Sequence, residues 1–177
     1  MSRIGKQEII IPTGVTVEIT GGILTVKGQK GELKKDIKDE IRFNIIDGKI
    51  TSEPIRNDKF SRALWGTYMS HLKNMIKGVQ EGFTKKLLIE GVGHKWEVKG
   101  EKLQLNIGFS HLVFLDIPKG ISVIADKVSL VVSGINKEAV ASFAMVVRKQ
   151  KTGEPYKGKG IRYFGEILRR KQGKKSA

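Results

Sequence analysis

Residues 151–166, KTGEPYKGKGIRYFGE, combine cations, aromatic rings and glycines in one short segment. The four glycines and Pro155 argue against helix or strand, so we expect a loop with free backbone N–H groups, held by a folded core. Lysine and arginine can meet phosphates and flat rings can stack on bases, a combination that suits structured RNA. Its cations are Lys151, Lys157, Lys159 and Arg162, its aromatic residues Tyr156, Tyr163 and Phe164, and its glycines Gly153, Gly158, Gly160 and Gly165.

Part of this segment fits the start of a nucleotide-binding P-loop, G-x-x-x-x-G-K. The match runs from Gly153 through Gly158 to Lys159, but Gly160 follows where a P-loop has Ser or Thr to hold magnesium. A P-loop also needs a strand before it and a helix after it, whereas a helical pattern precedes this segment. We therefore expect its amides and cations to act on a fixed polyanion and not to hydrolyse a nucleotide.

The charge of the chain points to the same class of partner. The 177 residues include 33 Lys and Arg against 18 Asp and Glu, a net charge of +15 with a pI near 10.0. Residues 148–175 hold eleven cations and two anions, a net of +9. This basic end is either a solubilising tail or, as its position beside the glycine-rich segment favours, an RNA-binding arm. It adds the candidates Arg148, Lys149, Arg169, Arg170 and Lys171.

Other features exclude several classes of function. The chain has no cysteine, no apolar run long enough for a signal peptide or membrane span, and only three scattered histidines, His71, His94 and His111. No G-x-S-x-G motif is present. We expect a soluble cytoplasmic protein without cofactor, metal or catalytic site.

The hydrophobic periods predict two similar α+β units. Residues 9–53 read as antiparallel strands with a hairpin at Asp47-Gly48, followed by a helix capped at Asn57 or Asp58 that ends near Gly78 or Gly82. Strands recur between 87 and 132, followed by a helix from Asn136 to about Gln150. We expect Phe60, Leu64, Tyr68, Leu72 and Ile76 to form the stripe of the first helix, Ala139, Val140, Phe143 and Val147 to face inward from the second, and Trp65 and Trp96 to pack internally.

A repeated motif supports an internal duplication. GILTVKGQK at 22–30 parallels HKWEVKGEK at 94–102, and both contain VKG-x-K at an offset of 72 residues. The predicted fold class is α+β, with two tandem domains that each pack an antiparallel-rich β-sheet against one α-helix. We place the boundary within 78–86, giving an N-terminal domain 1–82 and a C-terminal domain 83–177 that carries the basic loop and tail.

Five segments together carry a family resemblance. They are the opening SRIGKQEIIIP, VKGQKGEL, RALWGTYMSHLKNMIKGVQEGF, IEGVGHKWEVKG and above all GEPYKGKGIRYFGE. Along essentially its whole length the chain resembles the bacterial-type family of the sixth protein of the large ribosomal subunit. The family pattern has GVG-Y where this chain has His94.

The resemblance implies a structural protein that binds large-subunit ribosomal RNA near the sarcin-ricin loop. That site lies at the stalk base, beside neighbouring ribosomal proteins and close to where translational GTPases dock. The RNA contacts it implies map to Lys157, Gly158, Lys159, Gly160, Arg162 and Tyr163, with Tyr156 and Lys151 beside them. We expect Arg162 to make a bidentate phosphate contact, and Tyr163 to stack or to anchor the loop.

Several alternatives stay open at this point. Gly91 to His94 reads equally well as a tight connection between strands or as a ligand contact, and Lys95 beside it joins the RNA candidates. The runner-up function is a free-standing RNA-binding or chaperone module. An enzyme would need paired titrating groups that the sequence does not suggest, and a DNA binder would need a basic recognition helix.

Overall fold

A computed structural model describes residues 3–46, 48–56 and 58–173. Within them the chain forms thirteen strands and two helices, which divide into two compact units. The first takes the described residues up to Gly82 together with Ile135–Lys137, and the second takes the rest. The α+β class is confirmed. Asp47 and Asn57, the predicted turn and cap residues, lie outside the described residues.

The first unit consists of two three-stranded antiparallel sheets and one helix. In chain order its elements are β1 (Ile9–Ile10), β2 (Thr16–Thr20), β3 (Ile23–Gly28), β4 (Gly31–Asp36), β5 (Ile41–Ile46), β6 (Lys49–Pro54) and α1 (Lys59–Gln80). The sheet orders are β2-β3-β4 and β1-β6-β5. Asp58 caps the N-terminus of the helix, and its carboxylate accepts a hydrogen bond from the Ser61 N–H at 3.2 Å. That hydrogen bond lowers the pKa of Asp58.

The buried stripe of α1 differs in part from the predicted one. Phe60 is 52% exposed, because steps of four residues drift about 40° per step around a helix of 3.6 residues per turn. Trp65, by contrast, is buried as predicted and donates its indole N–H to the Ser52 carbonyl at 2.9 Å. The hydrophobic residues that α1 buries are Trp65, Tyr68, Met69, Leu72, Met75, Ile76 and Val79.

The second unit also has two antiparallel sheets and one helix. Its elements are β7 (Phe83–Glu90), β8 (Lys95–Lys99), β9 (Lys102–Asn106), β10 (Val113–Asp116), β11 (Ile121–Ala125), β12 (Ser129–Gly134), α2 (Lys137–Gln150) and β13 (Gly160–Tyr163). The sheet orders are β11-β12-β7-β13 and β10-β9-β8. Helix α2 buries Val140, Phe143, Ala144 and Val147, while Ala139 is half-buried. Trp96 is buried, as predicted.

Strand β13 corrects the expectation that residues 151–166 hold neither helix nor strand. Ile161 is fully buried and pairs with Ile89 of β7, so hydrophobic burial draws the segment into the sheet. Gly160 has a φ of +140°, and a Cβ there would lie 2.6 Å from the Thr152 carbonyl oxygen. The glycine is needed for a close backbone approach and does not break the strand.

The topology gathers several connections at one end of the second unit. Strand β13 begins opposite the end of β7, with Gly160 paired to Glu90, and β8 begins opposite the end of β9, with Lys95 paired to Asn106. The β7–β8 turn, the β9–β10 connection and residues 151–159 therefore lie at this end, which we call the loop end. Over the described residues, neither helix is long and apolar enough to cross a membrane.

Candidate nucleic-acid interface

The basic segment at the loop end is closed by its own backbone hydrogen bonds. Glu154 N–H donates to Lys159 O at 2.8 Å, Gly158 N–H to Glu154 O at 3.0 Å, and Ile161 N–H to Lys151 O at 2.7 Å. The expectation of free backbone N–H groups is therefore wrong for these three residues. The segment presents a fixed turn whose side chains, more than its amides, are available for contact.

The chain after β13 folds back over this turn. Lys171 N–H donates to Pro155 O at 2.8 Å, and a Cβ at Gly158 would lie 2.8 Å from Nη2 of Arg170. The side chain of Leu168 fills the space beside Gly153. Gly158 and Gly160 are buried, so the space a side chain would take there is occupied by the protein itself. We call residues 167–171 the strap.

Two arginines of the predicted site are paired with carboxylates. Arg148 holds Glu166 with two hydrogen bonds, Nε to Oε2 at 3.1 Å and Nη2 to Oε1. Arg162 pairs its Nη2 with Glu90 and donates from Nη1 to the Glu166 carbonyl at 3.1 Å. Glu166 also accepts from the Tyr163 N–H at 2.9 Å. These contacts tie the end of α2, the end of β7 and the residues after β13 together.

The Arg148–Glu166 pair shifts both groups toward their charged forms. The hydrogen bond from Arg148 is the main cause that lowers the pKa of Glu166, with smaller contributions from the Tyr163 N–H and the charge of Arg162. The same hydrogen bond raises the pKa of Arg148. With side chains 30% and 24% exposed, the pair is shielded enough to act as a structural clamp.

The two tyrosines of the segment have different environments. Tyr163 is half-buried against the core of the second unit, with Lys85 Nζ 5.7 Å and Arg148 Cζ 5.4 Å from its ring centroid. Tyr156 is 53% exposed at the turn. Of the two roles expected for Tyr163, the structure favours anchoring, and Tyr156 is the tyrosine that is exposed to solvent.

The remaining predicted cations form the accessible surface of the loop end and strap. Lys151 is half-buried, with its Nζ 5.2 Å from the ring centroid of Phe109. The exposed members are Lys95, Lys149, Lys157, Lys159, Arg169, Arg170 and Lys171. The site is thus mainly a lysine surface on a rigid support, while Arg148 and Arg162 hold the support together.

The His94 ring packs inside the loop end and is not available for a ligand contact. Its Nδ1 lies 3.2 Å from the Glu90 carbonyl, and its Nε2 would lie 3.3 Å from a Cβ at Gly108. The ring therefore fills the space between the β7–β8 turn and the β9–β10 connection. The structure favours the tight-connection interpretation of residues 91–94, although Val92 is 90% exposed at its tip.

Sequence reasoning missed two exposed rings beside this surface. Phe109 and His111 stack with centroids 5.9 Å apart and an interplanar angle of 19°. Strand β10 begins only at Val113 and leaves both rings on the β9–β10 connection. A possible signal was the aromatic residue and histidine spaced two apart after Gly108.

Across the described residues, no group of three or more His, Cys, Asp or Glu side chains could hold a metal ion.

Comparisons with known proteins agree along nearly the whole chain. The family model described as "Ribosomal protein L6" matches residues 11–82 and 90–164. A protein of Chelativorans sp. (strain BNC1) is 44% identical over 176 residues, 99% of each chain. Proteins of Listeria monocytogenes serotype 4b (strain F2365), 48% identical over 98% of each chain, and Methylocella silvestris, 45% identical over 99% of each chain, are also similar. All three relatives carry the name large ribosomal subunit protein uL6.

Proposed function

The chain belongs to the ribosomal protein L6 family, and on that premise we propose that it is a structural constituent of the large ribosomal subunit that binds large-subunit ribosomal RNA. It does so in the cytoplasm as part of the ribosome and without catalysis. The relatives, named as ribosomal subunit proteins and not as enzymes, support this conclusion.

The observation that carries the proposal is the set of exposed cations held at the loop end and on the strap. The turn of residues 151–159 is closed by backbone hydrogen bonds, and the strap is tied to it at Pro155. Because the backbone that carries these cations is ordered before RNA arrives, little backbone conformational entropy is lost on binding. Their contacts with phosphates release counterions, which favours association at low salt.

The structure suggests a division of roles among the candidate residues. Lys157 and Lys159 act as point charges toward phosphates, and the exposed Tyr156 is suited to stack on a base or sugar. Arg162 and Tyr163 anchor the support, because the terminal nitrogens of Arg162 already contact Glu90 and Glu166. Recognition is mainly of RNA shape and backbone.

Sedimentation tests the proposal directly. Lysate is run on a sucrose gradient in moderate salt and each fraction is probed for this chain. We expect it to travel with the large subunit and not with the small one. If it stays at the top of the gradient with free protein, the free-standing RNA-binding module replaces the ribosomal assignment.

A finer part of the proposal concerns position. We place the loop end near the sarcin-ricin loop and the stalk base, among neighbouring ribosomal proteins and close to the docking site of translational GTPases. Since the chain has no cysteine, one introduced cysteine can carry a tethered iron chelate for hydroxyl-radical cleavage of RNA. Cleavage near the sarcin-ricin loop is expected from Gln172→Cys, beside the strap, but not from Lys119→Cys, before β11. The reverse pattern would overturn this placement.

A further inference from the structure

Two exposed rings stand side by side at the loop end. Phe109 is 43% exposed and His111 is exposed, and their stacked rings have centroids 5.9 Å apart. Building on the proposed function, we propose that Phe109 and His111 form a stacking platform for an unpaired base of the ribosomal RNA. Aromatic side chains bind splayed-out bases in this way because every base has a flat face.

The platform is held in place before any ligand arrives. Gly108, just before Phe109, has a φ of +80° and lies against the His94 ring, which itself contacts the Glu90 carbonyl. The β9–β10 connection is thereby packed against the β7–β8 turn. A ring pair fixed by its support loses little freedom on binding, which raises the affinity it can contribute.

A cation over the Phe109 ring makes a nucleotide the ligand that fits the platform best. Lys151 Nζ lies 5.2 Å from the Phe109 centroid, and the Lys151 carbonyl is held by the Ile161 N–H at 2.7 Å. One place therefore offers flat ring faces for a base and, on an anchored backbone, a positive charge for its phosphate. Lys151 also continues directly into the turn of residues 151–159, so one RNA strand could occupy both.

A protein is the competing occupant, because the same region exposes other apolar groups. Leu112 is 43% exposed and Phe114 on β10 is 54% exposed. Charge favours RNA, since the surrounding exposed residues Lys95 and Lys149 add to the field of Lys151. An acidic protein surface would satisfy the cations but would leave the stacked rings without flat partners.

The test compares two double variants of the full chain. Phe109→Leu with His111→Leu keeps apolar volume but removes both rings, while Phe109→Tyr with His111→Phe keeps two rings. Both are titrated with large-subunit ribosomal RNA transcribed in vitro over a series of salt concentrations, after circular dichroism has verified folding. We expect the leucine variant to bind about 5- to 100-fold more weakly with an unchanged salt slope, and the aromatic variant to bind like the wild type.

The outcomes separate the two proposals. If the wild type itself fails to bind the RNA, the proposed function fails. If the wild type binds and the leucine variant binds equally well, only the platform is overturned, and a protein becomes the expected occupant. A reduced salt slope in the leucine variant, or weak binding by the aromatic variant, would likewise overturn stacking, because either result assigns the effect to charge or local packing.

Discussion

Replacing Lys157 and Lys159 together by alanine should weaken RNA binding through loss of charge alone. Both side chains are exposed at the turn, and the backbone hydrogen bonds that close this turn do not involve them. The support formed by β13, the strap and the Arg148–Glu166 pair stays intact in this variant. We therefore expect the free energy of unfolding to change by no more than about 0.5 kcal/mol, as is usual for surface substitutions.

The expected magnitude follows from counterion release. The slope of log K against log salt is negative, and each lost phosphate contact reduces its magnitude by about 0.7 to 0.9, so the double variant should lose about 1.4 to 1.8 of that magnitude. When the salt concentration rises from about 50 to 200 mM, the ratio of the wild-type to the variant binding constant should therefore fall by about 7- to 12-fold. The variant is thus weakened most at low salt, and this salt dependence distinguishes a loss of charge from a disruption of the folded turn.

The assay is an RNA titration across a salt series with a charge-matched control. Lys99→Ala with Lys119→Ala removes the same charge from the end of the strands that lies away from the loop end. Lys99 lies at the β8–β9 turn, and Lys119 precedes β11. The control should keep nearly the wild-type slope. An unchanged slope in the Lys157 and Lys159 variant, or an equal drop in the control, would refute a binding surface at the turn.

Two further predictions concern the support. Glu166→Gln should lower the free energy of unfolding at neutral pH by about 1–2 kcal/mol. Because the folded-state pKa of Glu166 is depressed, its contribution is present above the ordinary value of 4.5 and lost as pH falls through the folded-state pKa. Urea unfolding should therefore show the wild type and variant converging in acid, and a constant gap would contradict the clamp. Gly160→Ala should destabilise by about 1–3 kcal/mol, measured by the same method, because its Cβ meets the Thr152 carbonyl and its φ is positive. Gly173→Ala, with open space around it, is the matched control.

Most of the fold could be predicted from the sequence because the strands and helices follow from the local spacing of hydrophobic residues. Alternation in β2, β3 and β9 and the inward face of α2 follow from neighbouring residues. Strand β13 could not be predicted in this way, because Gly160 looks like a breaker until Ile161 is seen paired with Ile89. Pairing between residues so far apart in sequence has no local signal.

The sequence predicts which residues make up the candidate site, but it does not predict the role of each one. The sequence identifies Arg162 as a cation, but its partner Glu90 lies 72 positions away, so its structural role is invisible. The same holds for Arg148 and Glu166, 18 positions apart. The stacking of Phe109 on His111 depends on where β10 begins, and element boundaries are the least certain part of a period analysis.

The clamp at Glu166 also limits how the chain can vary. Arg148 uses Nε and Nη2 together, a fork that the single ammonium of lysine cannot reproduce, so exchange to lysine there would loosen the support. At Lys157 and Lys159 a point charge suffices, and exchange to arginine should be neutral. We therefore expect exchange between lysine and arginine to be tolerated on the proposed RNA-binding surface but not at the clamp behind it.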